Sequence, residues 1–222
     1  MKERLINLFG ENNLEKIKNA HILLVGIGGV GSFCFETLIR CGVENITVID
    51  FDTYEESNLN RQLYATIDTL GKKKIDTALA RAKSINENVN INVLDTFLDF
   101  NSDFDFSSYD YIIDACDSVP AKANLIINAK KYNKKIIVSL GIGNRVCPEL
   151  VCKSTLKENL SDPLGKKLNH YLIKKCDFNE NVNVICSKEK PIKSQPISSY
   201  VCTTSVAGIY LSDYVIKDII NG

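Results

Sequence analysis

The feature that most constrains this chain is a glycine-rich stretch, Gly26 to Gly31, with the pattern G-x-G-G-x-G. It follows the short apolar run 21–25 and precedes a segment, 30–40, whose apolar residues recur at helical spacing. Glycines between a strand and a helix allow a tight turn, and the free N–H groups at the helix N-terminus attract phosphate. The stretch therefore predicts a strand–turn–helix unit that binds a nucleotide.

A second predicted strand places an acid where such units hold ribose. The apolar run 45–49 ends in Asp50, about 20 residues after the glycines, and a carboxylate there can accept hydrogen bonds from ribose hydroxyls. Asp52 follows shortly after it. The alternative is a glycine-rich turn without a ligand, but the strand, the glycines, the helix, the second strand and the acid all agree with a nucleotide site.

Strands and helices alternate along residues 21–140, which predicts a parallel sheet with right-handed crossovers. Two later apolar runs, 149–153 and 181–186, are interpreted as antiparallel additions. The predicted fold class is α/β: a Rossmann-like, doubly wound, mainly parallel sheet with antiparallel additions in the C-terminal third. The predicted elements are a helical arm at 1–20, strands at 21–26, 45–50, 91–95, 109–113 and 135–139, helices at 29–41, 71–86 and 119–132, a helix that begins at Asp162, a loop at 187–196 and a closing helix at 205–220.

The sequence shows no repeat and no linker long enough to separate independent domains, so we expect one unit over residues 1–222. Within it we expect a helical arm at 1–20, a nucleotide-binding core at 21–140, and a substrate-side region at 141–222. That last region should contribute strands, a loop and the closing helix.

Charge and hydropathy limit the classes of partner. No apolar run has membrane-spanning length and the N-terminus lacks a signal-peptide core, so we expect no membrane partner and a cytoplasmic protein. Lys+Arg and Asp+Glu both number 27, so any contact with nucleic acid must come from a local patch. Lysine pairs at 130–131, 134–135, 166–167 and 174–175, the lysines of 188–193, and Arg145 could combine into such a patch.

The eight cysteines do not predict a zinc site, because no two of them have C-x-x-C spacing. In a cytoplasmic chain, most are expected to be small core residues rather than disulfide partners. Cys147 and Cys152 flank a predicted strand, and a nucleophilic role there stays open although no histidine partner is visible. His21 and His170 are assigned no catalytic role.

A polar cluster just after the ribose-binding strand, residues 57–62 (SNLNRQ), favours cleavage of ATP over hydride transfer. Activation of a carboxylate by ATP requires cations at the phosphates, a magnesium ligand and a ribose anchor. Asp117, just past a predicted strand end, is the candidate magnesium ligand. One lysine of the run 72–74 is expected to act, and spacing cannot choose it. The candidate cations are Arg61, Lys74 and Arg4, while Asn58 and Gln62 can contact phosphate or the attacking oxygen.

The order of these motifs resembles that of the ubiquitin-activating-type adenylyltransferases, the ThiF–MoeB–HesA superfamily. The matching motifs are GxGGxG at 26–31, DxD at 50–52, SNxxRQ at 57–62, GxxK at 71–74 and D-S-xxx-K at 117–122. The resemblance implies ATP and Mg²⁺ as cofactors, and a homodimer in which Arg4 reaches the active site of the opposite subunit. It implies Arg61, Lys74, Asn58, Asp117 and Arg4 as catalytic residues, Asp117 as the metal ligand, and Gly26, Gly28, Gly29, Gly31, Asp50, Asp52, Ser57, Asn58, Arg61, Gln62, Lys74, Asp117 and Ser118 as the ATP-binding set.

The second half of the chain is similar to the tRNA threonylcarbamoyladenosine dehydratase branch of that superfamily. The likeness rests on GIGN at 141–144, DPL at 162–164, VICSKEKP at 184–191 and SVAG at 205–208, while RVCP at 145–148 departs from the branch pattern. It implies that ATP activates the carboxylate of a threonylcarbamoyl group on an adenosine of tRNA, which then cyclises with net loss of water. The predicted partners are tRNA carrying that modification, a second copy of the chain and, as candidates, sulfur-transfer proteins.

Other functions stay open at this point. An adenylyltransferase that activates the C-terminus of a small sulfur-carrier protein would use the same ATP site, although such enzymes commonly carry paired C-x-x-C zinc ligands. An NAD-dependent oxidoreductase would explain the glycines and Asp50 but not Asn58, Arg61, Gln62 and Lys74. An inactive binding module of the same fold is disfavoured because every expected ATP-site residue is present.

Overall fold

The computed structural model describes residues 2–222, and within them helices cover both faces of a seven-stranded sheet. Most boundaries lie within a few residues of those predicted. The strands are β1 (His21–Val25), β2 (Asn45–Ile49), β3 (Asn90–Leu94), β4 (Tyr111–Asp114), β5 (Lys135–Ser139), β6 (Val151–Thr155) and β7 (Asn183–Ser187). The helices are α1 (Lys2–Phe9), α2 (Glu11–Asn19), α3 (Gly31–Arg40), α4 (Lys74–Ile85), α5 (Val119–Lys131), α6 (Pro163–Cys176) and α7 (Val201–Asn221).

The sheet has the order β3-β2-β1-β4-β5-β7-β6, so the chain starts in the middle and winds outward in both directions. β1 pairs in parallel with β2 and β4, with Val25 opposite Ile49 on one side and Asp114 on the other. The predicted fold class is therefore confirmed. Because parallel strands end together, the glycine stretch, Asp50 and the segment after Asp114 meet at one edge of the sheet.

The C-terminal strands differ in detail from the prediction. β7 is parallel to β5, and only β6 runs antiparallel, with Cys152 opposite Cys186. The helical arm is two helices rather than one, because Gly10 adopts φ 80° between them. α4 begins at Lys74 instead of 71, and α7 begins at Val201 instead of 205. Local periodicity cannot reveal the direction of a strand, which depends on where its partner lies.

Burial on both faces explains why β1 is an uninterrupted apolar run. Ile22 and Leu24 face the core formed with α3 and α7, whereas Leu23 and Val25 face the core formed with α5. All four side chains are at most 5% exposed. A strand without a polar face is typical of a parallel sheet covered by helices on each side.

The closing helix α7 supports the glycine stretch through a close approach to α3. A Cβ atom at Gly208 would overlap the carbonyl oxygen of Val30 and lie 2.9 Å from the backbone nitrogen of Cys34. The hydroxyl of Ser212 donates to the Cys34 carbonyl oxygen at 3.2 Å. The end of the chain thus fixes the start of the helix that follows the glycines. None of the helices within residues 2–222 is both long and apolar enough to cross a membrane.

Candidate functional site

One elongated cavity of about 1320 Å³ runs along the carboxyl edge of the sheet. Its first end, here called the glycine end, is lined by 28–30, Asp50 and Asn58. Its other end, here called the rim end, is lined by 141–145, Lys167 and 191–195. Clefts outside the carboxyl ends of parallel strands are where ligands bind in such sheets. The volume exceeds that of an ordinary small-molecule site, so a nucleotide and part of a second substrate fit together.

The glycine end is shaped by two contacts that exclude any side chain. Gly26 adopts φ 92°, and a Cβ there would lie 2.8 Å from the carbonyl oxygen of Ala115. A Cβ at Gly31 would overlap the carbonyl oxygen of Gly26. The turn therefore packs tightly on the segment after β4 and aims the start of α3 into the cavity. Within the described chain, the N–H groups of Gly28 and Gly29 donate to no acceptor, which leaves them for an anion.

Asp50 combines a structural role with exposure to the cavity. Its carboxylate accepts the Ile27 N–H at 2.7 Å and the Asp52 N–H at 2.9 Å, which holds the glycine stretch against the end of β2. The residue is 9% exposed and lines the cavity. A carboxylate has about four acceptor positions. Acceptor capacity therefore remains for ribose hydroxyls.

The fold selects one lysine from the run 72–74. Lys74 is the first residue of α4, is 5% exposed and lines the cavity, where its ammonium binds Asp52 at 2.7 Å. Lys73 points away and binds the carboxylate of Asp95 at 3.1 Å. Because Asp52 also lines the cavity, the Lys74–Asp52 pair forms part of its wall.

The polar cluster 57–62 begins in the short 3-10 helix Glu56–Asn58 and continues as a turn beside the glycines. Asn58 and Gln62 are 8% and 6% exposed and line the cavity. The side-chain carbonyl oxygen of Gln62 has no hydrogen-bond partner among the described residues, although it is buried. Such an orphaned group at a cavity wall fits a missing polar ligand. Arg61 lies against Gly29, where a Cβ would be 3.2 Å from the arginine Cγ.

Ser57 contacts Arg61 and does not line the cavity. The guanidinium of Arg61 donates to the Ser57 carbonyl oxygen at 2.6 Å and to Asn60 Oδ1 at 3.0 Å. Arg61 lines the cavity, whereas Ser57 is absent from its lining. These bonds hold one edge of the guanidinium and leave the rest of its N–H groups available to an anion.

A buried ion pair under the cavity connects three elements. Lys122, on α5, and Asp114, at the end of β4, have no exposed surface, and their charged groups lie 3.1 Å apart. The same ammonium donates to the Ser139 carbonyl oxygen, at the end of β5, at 2.8 Å. Asp114 Oδ1 also accepts the Cys116 N–H at 3.1 Å.

The sequence interpretation grouped Asp117 and Lys122 in one motif, and the structure adds that Lys122 forms its ion pair with Asp114. Sequence reasoning missed Asp114 because it reads as the last residue of an apolar strand. The available signal was a lysine in the first turn of α5 between two alanines, Ala121 and Ala123, since a lysine buried on such a face needs an acid beside it. Asp117 is exposed, lines the cavity and makes no ion pair or hydrogen bond within the described chain.

Of the last two predicted site residues, Ser118 lines the cavity and Arg4 does not. Ser118 lines the cavity and also caps α5, where its hydroxyl accepts the Ala121 N–H at 3.4 Å. Arg4 is exposed on α1 and is not among the residues that line the cavity. Within a single chain, therefore, Arg4 does not join the other candidates.

Arg145, which the sequence interpretation placed on a basic surface, connects several segments at the rim end. Arg145 is 3% exposed, and its guanidinium binds the carboxylate of Asp162 at 2.6 Å and the carbonyl oxygens of Gly141 and Gly143. Asp162 in turn caps α6 by accepting the Gly165 N–H at 2.7 Å. The expectation of a surface role for Arg145 is wrong, because its charge is already neutralised within the protein.

All eight cysteines are free thiols, and only Cys34 and Cys186 are fully buried. Cys152 lies within β6 rather than beside it. Burial, together with Glu189 and Glu149, raises the pKa of Cys147. A raised pKa disfavours the thiolate, so the structure gives no support to Cys147 as a nucleophile.

Comparisons with known proteins agree with this architecture. Residues 2–220 match the ThiF family. The tRNA threonylcarbamoyladenosine dehydratase of Bacillus subtilis is 32% identical over 95% of this chain and 91% of its own length. That of Haemophilus influenzae is 35% identical over 86% of this chain and 74% of its own. Among solved structures, E. coli tRNA N6-threonylcarbamoyladenosine dehydratase in complex with AMP superposes with a TM-score of 0.94 at 30% identity, covering 98% and 93% of the two chains.

The buried pair can be tested by removing one charge and then both. We expect Lys122→Met to lower the free energy of unfolding by about 3–5 kcal/mol, because it leaves the Asp114 carboxylate buried and unpaired. Adding Asp114→Asn should recover at least about 1 kcal/mol, since the amide still accepts the Cys116 N–H. Urea unfolding measures both, with Lys130→Met on the exposed face of α5 as the control. A loss below about 1 kcal/mol for Lys122→Met would contradict the assignment.

Proposed function

The chain belongs to the ThiF family, and we propose that it is an ATP-dependent dehydratase that cyclises the threonylcarbamoyl group of threonylcarbamoyladenosine in tRNA. The likeness to the E. coli dehydratase bound to AMP carries this proposal, because it extends over 98% of the chain at a TM-score of 0.94. The curated relatives with that name support it at 32% and 35% identity.

The proposed reaction needs one activation and one ring closure. The carboxylate of the substrate bonds to the α-phosphorus of ATP and pyrophosphate leaves. An atom of the substrate's own side chain then attacks the activated carbonyl, and AMP leaves with the former carboxylate oxygen. The atoms balance as loss of one water from the substrate and hydrolysis of ATP to AMP and pyrophosphate.

The glycine end has the donors and acceptors that ATP requires. The N–H groups of Gly28 and Gly29, which have no acceptor in the described chain, and the start of α3 are proposed to bind the phosphates. Asp50 is placed to accept hydrogen bonds from ribose. Phe51 and Phe97 line the same end and pack edge to face with ring centroids 5.1 Å apart, which offers an apolar wall to the base.

Arg61, Lys74, Asn58 and Gln62 are proposed to act on the phosphates and the attacking oxygen. Their side chains converge from two segments on one end of the cavity. Cations fixed at the site where negative charge increases stabilise the transition state and need little reorganisation. Asn58 and Gln62 add polar groups that are already desolvated.

We propose that Mg²⁺ binds jointly to Asp117 and to the phosphates. Among residues 2–222, no three His, Cys, Asp or Glu side chains cluster to hold a metal ion by themselves. That agrees with Mg²⁺, which usually takes one or two carboxylates together with substrate phosphates and waters. The unpartnered carboxylate of Asp117 fits such a role. When bound, the ion would neutralise charge on the phosphates.

Four further features are proposed for this enzyme: a homodimer, a single folded unit, a cytoplasmic location and sulfur-transfer partners. A homodimer would give exposed Arg4 a role, by bringing it to the cavity of the opposite subunit. Residues 2–222 are proposed to work as one unit, since one cavity draws on both halves of the sheet. A tRNA substrate supports the proposal that the enzyme acts in the cytoplasm. Sulfur-transfer proteins stay candidate partners.

The direct test is to incubate the protein with magnesium, ATP and tRNA that carries threonylcarbamoyladenosine. We expect the modified nucleoside to lose one water, with AMP formed in equal amount. Mass spectrometry after mild digestion, which spares a labile ring, detects the first product. An unchanged nucleoside in a preparation that still binds ATP would refute the proposal. The next candidates would then be carrier proteins that end in Gly-Gly.

Arg61→Ala should lower the rate of AMP formation by about 10²–10³-fold, because it removes a cation from the phosphate site. Circular dichroism and the unfolding midpoint should remain close to those of the wild type, since Arg61 is only partly buried and its partners lie next to it in sequence. Arg40→Ala is the matched control, because Arg40 lies at the far end of α3. Wild-type turnover by a folded Arg61→Ala protein would exclude the role.

Asp117→Asn should raise the Mg²⁺ concentration needed for half-maximal activity by at least about tenfold. The amide loses the negative charge that the ion prefers, while ATP still has its phosphate and ribose contacts. Titration of activity with Mg²⁺, alongside ATP binding measured without the ion, separates the two effects. Asp103→Asn, an exposed change outside the cavity lining, is the control. An unchanged Mg²⁺ requirement would rule out Asp117 as the ligand.

A further inference from the structure

The rim end of the cavity is closed by a segment that the ATP site does not use. Residues 188–199, here called the rim segment, connect β7 to α7 without helix or strand. Residues 191–195, Ile197 and Ser199 line the cavity. Most residues of the segment are nevertheless exposed, so it lies between the cavity and solvent.

Asn144 holds this segment with four hydrogen bonds. Its N–H donates to the Ser198 carbonyl oxygen and its Oδ1 accepts the Ser198 N–H, both at 2.7 Å. Its carbonyl oxygen accepts the Ile192 N–H at 2.7 Å, and its amide nitrogen donates to the Ser194 carbonyl oxygen at 3.1 Å. The backbone of Asn144 adopts φ 56°, a conformation that asparagine tolerates better than most residues. One residue therefore contacts the rim segment at three points.

Glu189 fixes the base of the rim segment. Its carboxylate accepts the N–H groups of Val146 and Cys147, each at 2.9 Å, and these bonds lower its pKa. Its carbonyl oxygen accepts a hydrogen bond from Arg145 at 3.1 Å. The segment is thus held at its base and along its length while its lysines stay exposed.

The lysines at the rim end are not neutralised by the protein. Lys167 and Lys193 line the cavity, are exposed and have no carboxylate partner among the described residues. Lys190 is likewise exposed, with no ion pair in the described part of the chain. Asp162 and Glu189 are already bound to Arg145 and to backbone N–H groups. The cavity therefore has positive charge at its rim end, in addition to the cations at the glycine end.

We propose, resting on the proposed function, that the rim segment and Lys167 bind RNA phosphates on either side of the modified nucleoside. Lys193 and Lys167 are the phosphate contacts, and Asn144 is the positioning residue that holds the segment over the cavity. Exposed lysines on two separate elements, Lys193 on the rim segment and Lys167 on α6, suit the regularly spaced charges of a nucleic acid backbone. A peptide tail with one terminal carboxylate would need only one of them.

The test uses the intact enzyme with tRNA that carries threonylcarbamoyladenosine, at several salt concentrations. Lys193→Gln and Lys167→Gln should each raise KM for the tRNA about threefold and lower the slope of log KM against log salt by about one. KM for ATP and kcat should not change. Lys193→Arg should restore the wild-type slope, and Lys83→Gln, exposed on α4, is the charge-matched control.

Asn144→Gly tests the positioning residue. Glycine accepts φ 56° without strain but removes both side-chain hydrogen bonds. We expect faster trypsin cleavage after Lys193 and a higher KM for tRNA, with an unchanged KM for ATP. The unfolding midpoint and ATP binding should stay close to those of the wild type, which a general structural defect would not allow.

These experiments distinguish a failure of the proposed function from a failure of RNA binding by the rim segment. If the wild type does not dehydrate the modified tRNA, the proposed function is wrong. If it does, but both lysine variants keep the wild-type KM and salt slope, the rim segment does not bind RNA. A raised KM for a carrier-protein tail instead would also overturn the proposal, in favour of a peptide-binding surface.

Discussion

The ammonium group of Lys122 lies where α5 meets the ends of β4 and β5, and the cavity depends on that junction. It binds Asp114 and the Ser139 carbonyl oxygen without exposing any surface. A buried pair of this kind often contributes little net stability, because desolvation offsets the attraction between the charges. We infer that its effect is geometric: it sets the spacing of the two strand ends under the cavity.

The Lys122–Asp114 pair is connected to the glycine stretch through the backbone that follows β4. Asp114 also accepts the Cys116 N–H, which orients the backbone from Ala115 to Asp117. Ala115 is the residue against which Gly26 packs so closely that no Cβ fits. The same turn directs Asp117 into the cavity, where its carboxylate has no partner in the described chain. One buried charge pair therefore supports both the glycine stretch and the backbone that carries Asp117, the proposed Mg²⁺ ligand.

The local part of the site was predictable from sequence, and the non-local part was not. The glycines and Asp50 follow from residues within one strand–turn–helix–strand unit. Arg145 was placed on the surface because its partner Asp162 is 17 residues away and Glu189 is 44 residues away, and no pattern connects them. Lys74 could not be chosen over its neighbours, since the choice depends on where α4 begins. The direction of β7 likewise depends on β5, which is distant in the chain.

The exposure of the Lys74–Asp52 pair suits the polyphosphate binding proposed for this end of the cavity. The side chain of Lys74 is 6% exposed, whereas that of Asp52 is 46% exposed. A desolvated ammonium needs an anion beside it, and the exposed carboxylate provides one when no phosphate is present. If a phosphate takes that place, Asp52 regains hydration at little cost, whereas Lys74 keeps a negative partner throughout. The exchange favours binding because the more buried partner is never left alone, and the cation is already in position before the nucleotide arrives.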